Sequence, residues 1–427
     1  MSPGAAAAAV PGAVAARFHG WWVVVPAVAV ILLVTNGLTA GGIAAFDPSI
    51  IQGLGVSRAD VKLGDAIQLG VTAILTIGTG WLADRFGVRI VMAAGSVALA
   101  SSFFVLGGVD SLADYYWARF WMGAGLSGCG LAICVVAVSR WFVLRRGRAL
   151  GIVLAGTSLG NAIFPAIFTR LIASGGLDFA ADVAGWMVLA LLVLVAFAIA
   201  EWPADKALRP FGAEQVEALG LAAAGDAAGP ELTYRQILSN PRFWLMGIAA
   251  FATFYSILAV NNNMILHMQN LGVRPETGSL IALPLFLAGL VGKLVSGWLT
   301  DLYGRKPVWL VSLALMLVAA GMLALMSALL VPFAAVVMGL GWGANYTLLQ
   351  AVAGDVFGTR SLGRVMGAVT VLDAGGGAIG PYVTARFADA SGDYQAGFLV
   401  VLALVAMALF CASRLDVPTP DAQVKSP

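Results

Sequence analysis

The stretch Gly80–Arg89 reads GWLADRFGVR, and it returns as GWLTDLYGRK at Gly297–Lys306, 217 residues later. Each copy sits between two apolar runs, so each is a polar turn joining two helices. Other residues keep step at an offset of 216: Gly123-x-Gly125 with Gly339-x-Gly341, Gly147-Arg148 with Gly363-Arg364, and Gly160, Pro165 and Arg170 with Gly376, Pro381 and Arg386. A fixed period of this length marks a duplicated structural unit, so the chain is expected to consist of two halves built alike.

Composition sets the solvent of those halves. Hydrophobic residues make up 60% of the chain and charged residues 11%, with a mean hydropathy of +0.92. Soluble globular chains fall far from these values, which leaves lipid. A helix needs about 20 residues to cross the hydrocarbon core, and the apolar runs predict spans at 21–45, 62–82, 88–108, 113–139, 148–173, 183–201, 243–268, 277–300, 307–328, 330–352, 364–388 and 393–412. The expected fold is therefore an all-α membrane protein with twelve transmembrane helices in two pseudo-symmetric six-helix bundles. The 52 glycines agree, because small residues let membrane helices approach closely. Residues 202–242, rich in Pro, Gly and mixed charge, form the expected linker between a bundle at 21–201 and a second at 243–412, with tails at 1–20 and 413–427. The Ala-rich start has no basic leader and runs into a full-length span, so it reads as a tail.

Lys and Arg fix the orientation. Arg85, Arg89, Arg140, Arg145, Arg146, Arg148, Lys206, Arg209, Arg235, Arg242, Arg305, Lys306, Arg360 and Arg364 fall on one side, whereas the other side's connecting loops carry only Arg58, Lys62 and Arg274. Both termini are expected in the cytoplasm, with the chain in a bacterial inner membrane. Cys129, Cys134 and Cys411 lie in apolar stretches without metal-ligand spacing, and His19 and His267 are too few for a histidine centre, so no metal and no cofactor is implied. The net charge of +2 leaves no nucleic-acid footprint.

The duplicated G-x-L-x-D-x-x-G-x-[RK] loop resembles the signature of the major facilitator superfamily. That resemblance makes Asp84, Arg85, Arg89, Asp301, Arg305 and Lys306 gate residues; as plain chemistry they also suit a positive-inside anchor. WFVLRRGRALGIVLAGTSLG, Trp141–Gly160, is similar to the fifth-helix entry of monocarboxylate transporter-like and oxalate/formate antiporter-like proteins, and HGWWVVV, His19–Val25, to their first-helix motif.

Ionisable residues at membrane depth cost roughly 2.5–3.5 kcal/mol each and tend to be functional. Lys293 lies eight residues before Asp301, hence about 12 Å inside the membrane, and Asp373 lies about 15 Å from the same surface. In the monocarboxylate family a base at the place of Lys293 helps to hold the substrate carboxylate. Gly289 stands where the animal members carry an acid, which leaves Asp373 to supply it; the oxalate transporters carry a second cation there. The expectation is a Lys293–Asp373 pair in which Asp373 couples a proton; a structural salt bridge is the alternative. Arg119, Asn261, Asn262, His267, Asn345, Tyr346 and Gln350 complete the expected substrate lining, with Trp121, Trp342 and Phe164 as possible cavity aromatics. The implied activity is secondary transport of a small organic acid, a monocarboxylate with a proton, by a lipid-embedded monomer. Efflux of a hydrophobic or cationic compound by proton antiport, and a sensor that keeps the fold without transport, are the rivals. A membrane enzyme is disfavoured because no nucleophile–base pair shares a depth.

Overall fold

The computed structural model describes residues 19–142, 146–199, 203, 208–211, 232–357 and 362–417. Most of the expected tails and of the expected linker lies outside these residues. We number the long helices α1, Gly20–Ala45; α2, Arg58–Phe86; α3, Val88–Gly107; and α4, Leu112–Cys129 continued by Leu131–Trp141. The run Arg146–Ala198 breaks at Gly176, where φ is +84°, into α5 (146–175) and α6 (177–198). Then come α7, Pro241–Asn270; α8, Ala282–Tyr303; α9, Arg305–Ala324; α10, Val331–Phe357; α11, Leu362–Ser391; and α12, Gln395–Arg414. Eight stretches of the described residues, one of which holds both α5 and α6, are long and apolar enough to cross a membrane. The long helices α2, α10 and α11 are diluted by glycine and polar side chains.

Local sequence explains where helices start. Ser57 caps α2, its hydroxyl accepting from the Asp60 N–H while the Asp60 carboxylate reaches back to the Ser57 N–H. This cap lengthens α2 beyond the expected 62–82 and carries Lys62 into the helix, so Lys62 is not a loop residue. The second glycine of each loop motif ends a helix with φ in the left-handed half, +94° at Gly87 and +81° at Gly304. Only glycine takes that turn without strain, and each donates its N–H to the residue four back, Ala83 or Thr300, at 3.0 Å.

Helix packing repeats with the sequence. In the first half α1 packs on α5, α2 on α4, α3 on α4 and α3 on α6; in the second, α7 on α11, α8 on α10, α9 on α10 and α9 on α12. One buried core holds residues from Val24 to Ile199 together with Ile265 of the second half, and the other residues from Ile237 to Leu415 together with Ala162 of the first. Glycines make the crossings. A Cβ on Gly160 would collide with the Leu33 carbonyl and one on Gly376 with the Phe251 carbonyl; Gly123 stands likewise on Gln68 and Gly339 on Leu285. These contacts, 216 to 218 residues apart, are the duplication expressed in backbone geometry.

The halves meet along α2 with α11 and α5 with α8. At the end away from the loop motifs, the Asp389 carboxylate of α11 accepts the Arg58 and Ala59 N–H groups at 3.3 and 2.9 Å, capping the start of α2. A carboxylate there offsets the exposed N–H groups and the positive end of the helix dipole. The Arg58 guanidinium lies 5.4 Å from the Tyr394 ring centre on the same side. These contacts join the two halves at this far end.

The glycine crossings are testable. Gly160→Val and Gly376→Val should each destabilise the protein by about 1–3 kcal/mol through overpacking, whereas Gly53→Ala, which meets nothing within 4 Å, should be near neutral. Thermal unfolding of purified protein in detergent measures this, and equal midpoints for all three variants would refute the assignment.

Candidate functional site: a central cavity with charged walls

A cavity of about 220 Å³ lies between the halves, lined by α1, α2, α4 and α5 on one side and by α7, α8, α10 and α11 on the other. α1 is irregular where it borders this space. Its regular turns give way to a wider π-helical turn at Gly37–Gly41 and a tight 3₁₀ turn at Gly42–Ala45. Neighbours use its carbonyls: Gln68 Nε2 donates to Thr39 at 3.2 Å, and Asn261 Nδ2, from the other half, to Ala40 at 3.2 Å. Such turns inside a helix accompany functional sites.

The first half contributes a buried cluster of four charges. Lys62 Nζ pairs with Asp47, on the short helix Asp47–Leu54, and stands 3.4 Å from Asp65 Oδ2. Arg119 of α4 pairs with Asp65 Oδ1. Two acids and two bases therefore cancel, as burial demands. Asp65 has one further donor, from the opposite half: Asn262 Nδ2 at 2.9 Å from Oδ2. Asn262 Oδ1 accepts in turn from Asn261 at 2.9 Å. Asp65, Arg119, Asn261 and Asn262 all border the cavity.

Lys293 is the cation of the opposite wall. Its Nζ donates to Ser158 Oγ of α5 at 3.2 Å and stands 5.2 and 5.5 Å from the ring centres of Trp342 and Tyr346. Ring faces attract a cation by about 0.5–2 kcal/mol without neutralising it. Among the described residues no carboxylate lies within ion-pair distance of Lys293.

That finding corrects the expected Lys293–Asp373 pair. Lys293 reaches across to α5 and lies on the α10 aromatics, while Asp373 is half-buried on α11, within electrostatic reach of Tyr346. Arg119, Asn261, Asn262, Tyr346 and Trp342 do line the cavity, but His267, Asn345 and Gln350 do not. His267 is buried toward the far end against the rings of Tyr394 and Phe398. Asn345 is structural glue, accepting from Trp309 Nε1 at 2.7 Å and donating to Thr253 at 3.1 Å. Gln350 is exposed on the outer face of α10, as is Trp121 on α4, and Phe164 is packed into the first core.

Of the expected gate residues, the side chains of Asp84 and Asp301 lie outside the described residues. Arg305 pairs with Asp355 and donates to the Ala351 carbonyl at 3.2 Å, tying the start of α9 to the end of α10 within one half. Arg85 lies 5.4 and 5.6 Å from the ring centres of Trp81 and Phe86; Arg89 is exposed and Lys306 half-buried.

The family model of the Major Facilitator Superfamily matches residues 18–283 and 248–427. The chain belongs to this superfamily. It is 25% identical over 381 residues to the oxalate:formate antiporter of Oxalobacter formigenes, covering 87% of this chain and 86% of that one. Identity to monocarboxylate transporter 13 of Rattus norvegicus is 25% over 397 residues, 89% of this chain and 85% of the relative. The membrane sensor protein UhpC of Escherichia coli is 24% identical over 392 residues, 87% of each. A bacterial homologue of the human lysosomal transporter Spinster shares the fold with a TM-score of 0.73 and 15% identity, covering 93% of this chain and 98% of that one. The protein is thus an integral membrane protein of the major facilitator fold, akin to the monocarboxylate and oxalate/formate branch.

Sequence reading missed the four-charge cluster. Asp47 and Lys62 fell at a predicted span end and loop, and Asp65 was hidden in an apolar run; the i, i+3 spacing of Lys62 and Asp65, with Arg119 also at membrane depth, was the available signal. Lys62→Met should strip Asp47 of its ion-pair partner and cost about 3–5 kcal/mol. Adding Asp47→Leu should recover most of that loss in thermal unfolding; a double variant no more stable than Lys62→Met would contradict the pairing.

Proposed function

We propose that this chain is a secondary transporter that carries a small organic anion, a monocarboxylate, together with a proton. It works by alternating access of its two halves around the central cavity. It does so as a monomer in the bacterial inner membrane, both termini and the loop-motif end facing the cytoplasm, the duplicated loops acting as gate. Lys293 carries this reading: a cation in the wall of a central cavity, beside two aromatic rings and with no carboxylate partner among the described residues, suits a carboxylate. Arg119 is already neutralised by Asp65, so a single negative charge is what the cavity accommodates. The mostly apolar remainder of the lining, with Phe254, Ile257, Leu258 and Phe286, suits the carbon skeleton of such an acid.

Relatives named as antiporter and monocarboxylate transporter support carriage of organic anions, while one named as a sensor keeps a non-transporting reading open. Counterflow in proteoliposomes separates them. The wild type should exchange labelled monocarboxylates such as lactate, pyruvate or benzoate. Lys293→Gln should lower that exchange at least tenfold, the loss of a charge-assisted bond worth about 1.5–3 kcal/mol, and Lys293→Arg should retain part of it. Exchange of cationic dyes instead would establish efflux, and substrate binding without exchange would establish the sensor.

A further inference from the structure

The four-charge cluster has a feature that charge neutrality alone does not require: one of its acids is shared between the halves. Asp65 takes two donors, Lys62 and Arg119, from its own half, and these travel with it in any rigid-body movement. Its third donor, Asn262, sits on α7 of the other half. Around Asp65 the charged and titratable groups are Lys62 on α2, Asp47 on the short helix before it, Arg119 and Tyr115 on α4, and no charge from α7, which presents the neutral Asn262. The Tyr115 hydroxyl donates to the Val61 carbonyl at 3.0 Å, which leaves the carboxylate to the two bases and the amide.

We propose that Asp65 is the site at which the coupling proton binds, taken up when the halves part at the far end and released when Asn262 returns. This rests on the reading of the protein as a proton-coupled carrier of organic anions and assigns the proton to a residue other than Asp373. The step balances. As α7 withdraws, the bond from Asn262 Nδ2–H to Asp65 Oδ2 breaks and an O–H bond forms at that oxygen from a far-side proton; on return, the proton leaves and the amide donor replaces it. The ionised carboxylate is favoured with three donors and loses support when one departs, so the conformation itself alternates its hold on the proton.

Coupling to substrate follows from charge. With Asp65 ionised the cluster sums to zero; with Asp65 protonated it carries one positive charge, in the wall of the cavity that Lys293 faces. A proton on Asp65 therefore strengthens the hold on an anion, and by reciprocity an anion in the cavity strengthens the hold on the proton. The loaded carrier, with proton and monocarboxylate, differs from the empty one by no net charge.

The test uses full-length protein in proteoliposomes, following both labelled lactate, pyruvate and benzoate and the pH change that accompanies their entry. Wild type should move protons with acid. Asp65→Asn should keep measurable counterflow while substrate-linked proton movement and accumulation driven by a pH gradient fall below a tenth of wild type. Asn262→Leu, which leaves the cluster's own ion pairs in place, guards against a misfolded Asp65 variant: it should shift the pH profile of uptake to higher pH, because an acid deprived of a donor holds its proton more tightly. Proton-linked accumulation retained in Asp65→Asn, an unshifted profile in Asn262→Leu, or coupling lost in Asp373→Asn but intact in Asp65→Asn would each overturn the assignment. Counterflow in the wild type without proton movement would overturn it too and leave the carrier reading standing. No wild-type counterflow would overturn the carrier reading itself.

Discussion

Inside a membrane a charge must find an opposite charge, and the placement of charges in this protein is organised by whether that demand is met. In the first half it is met completely: Lys62 and Arg119 hold Asp47 and Asp65 in a buried neutral cluster at the cavity wall. In the second half it is left unmet at Lys293, which has a hydroxyl and two ring faces for company. The first arrangement gives a stable wall. The second, on the proposed reading, gives a binding site whose missing countercharge a substrate anion would supply.

Duplication provides the frame, and departures from it provide the chemistry. Gly123, Gly125 and Gly160 and their counterparts 216 residues later make matching helix crossings, so the two bundles share one plan. At the same offsets, however, the counterpart of Lys293 is Thr76, that of Asp373 is Thr157, that of Asp65 is Ala282 and that of Arg119 is Ala335. Residues that fix backbone approach are repeated because both halves must pack. These four charged residues have no charged counterpart in the other half, which on the proposed reading leaves a single unpaired cation for a substrate with one carboxylate.

Much of this was legible in the sequence. The offsets of the loop motif and glycines carry the fold because helix crossings need small residues at fixed places, and periodicity survives divergence. Lys293 was legible because a base in the middle of an apolar run has few structural excuses. What sequence could not give is direction. Asn345 and His267 sit on helices that border the cavity, yet they face α9 and α12; a few tens of degrees of helix rotation decide this, and glycine-rich runs with little amphipathic contrast do not encode it. The Lys293–Asp373 pair failed for the same reason, since shared depth says nothing about which neighbour a side chain reaches. Asp65 was overlooked although it lies inside the expected span 62–82, because one acid near the end of an apolar run does not by itself show which bases it meets.

The central claim is that recognition rests on the negative charge of one carboxylate placed at Lys293. Titration calorimetry of the purified protein with matched acid and amide pairs, lactate against lactamide and benzoate against benzamide, isolates that charge while keeping size and shape. The account predicts saturable binding of at least one acid and at least tenfold weaker binding of its amide. Equal affinity for acid and amide would contradict it.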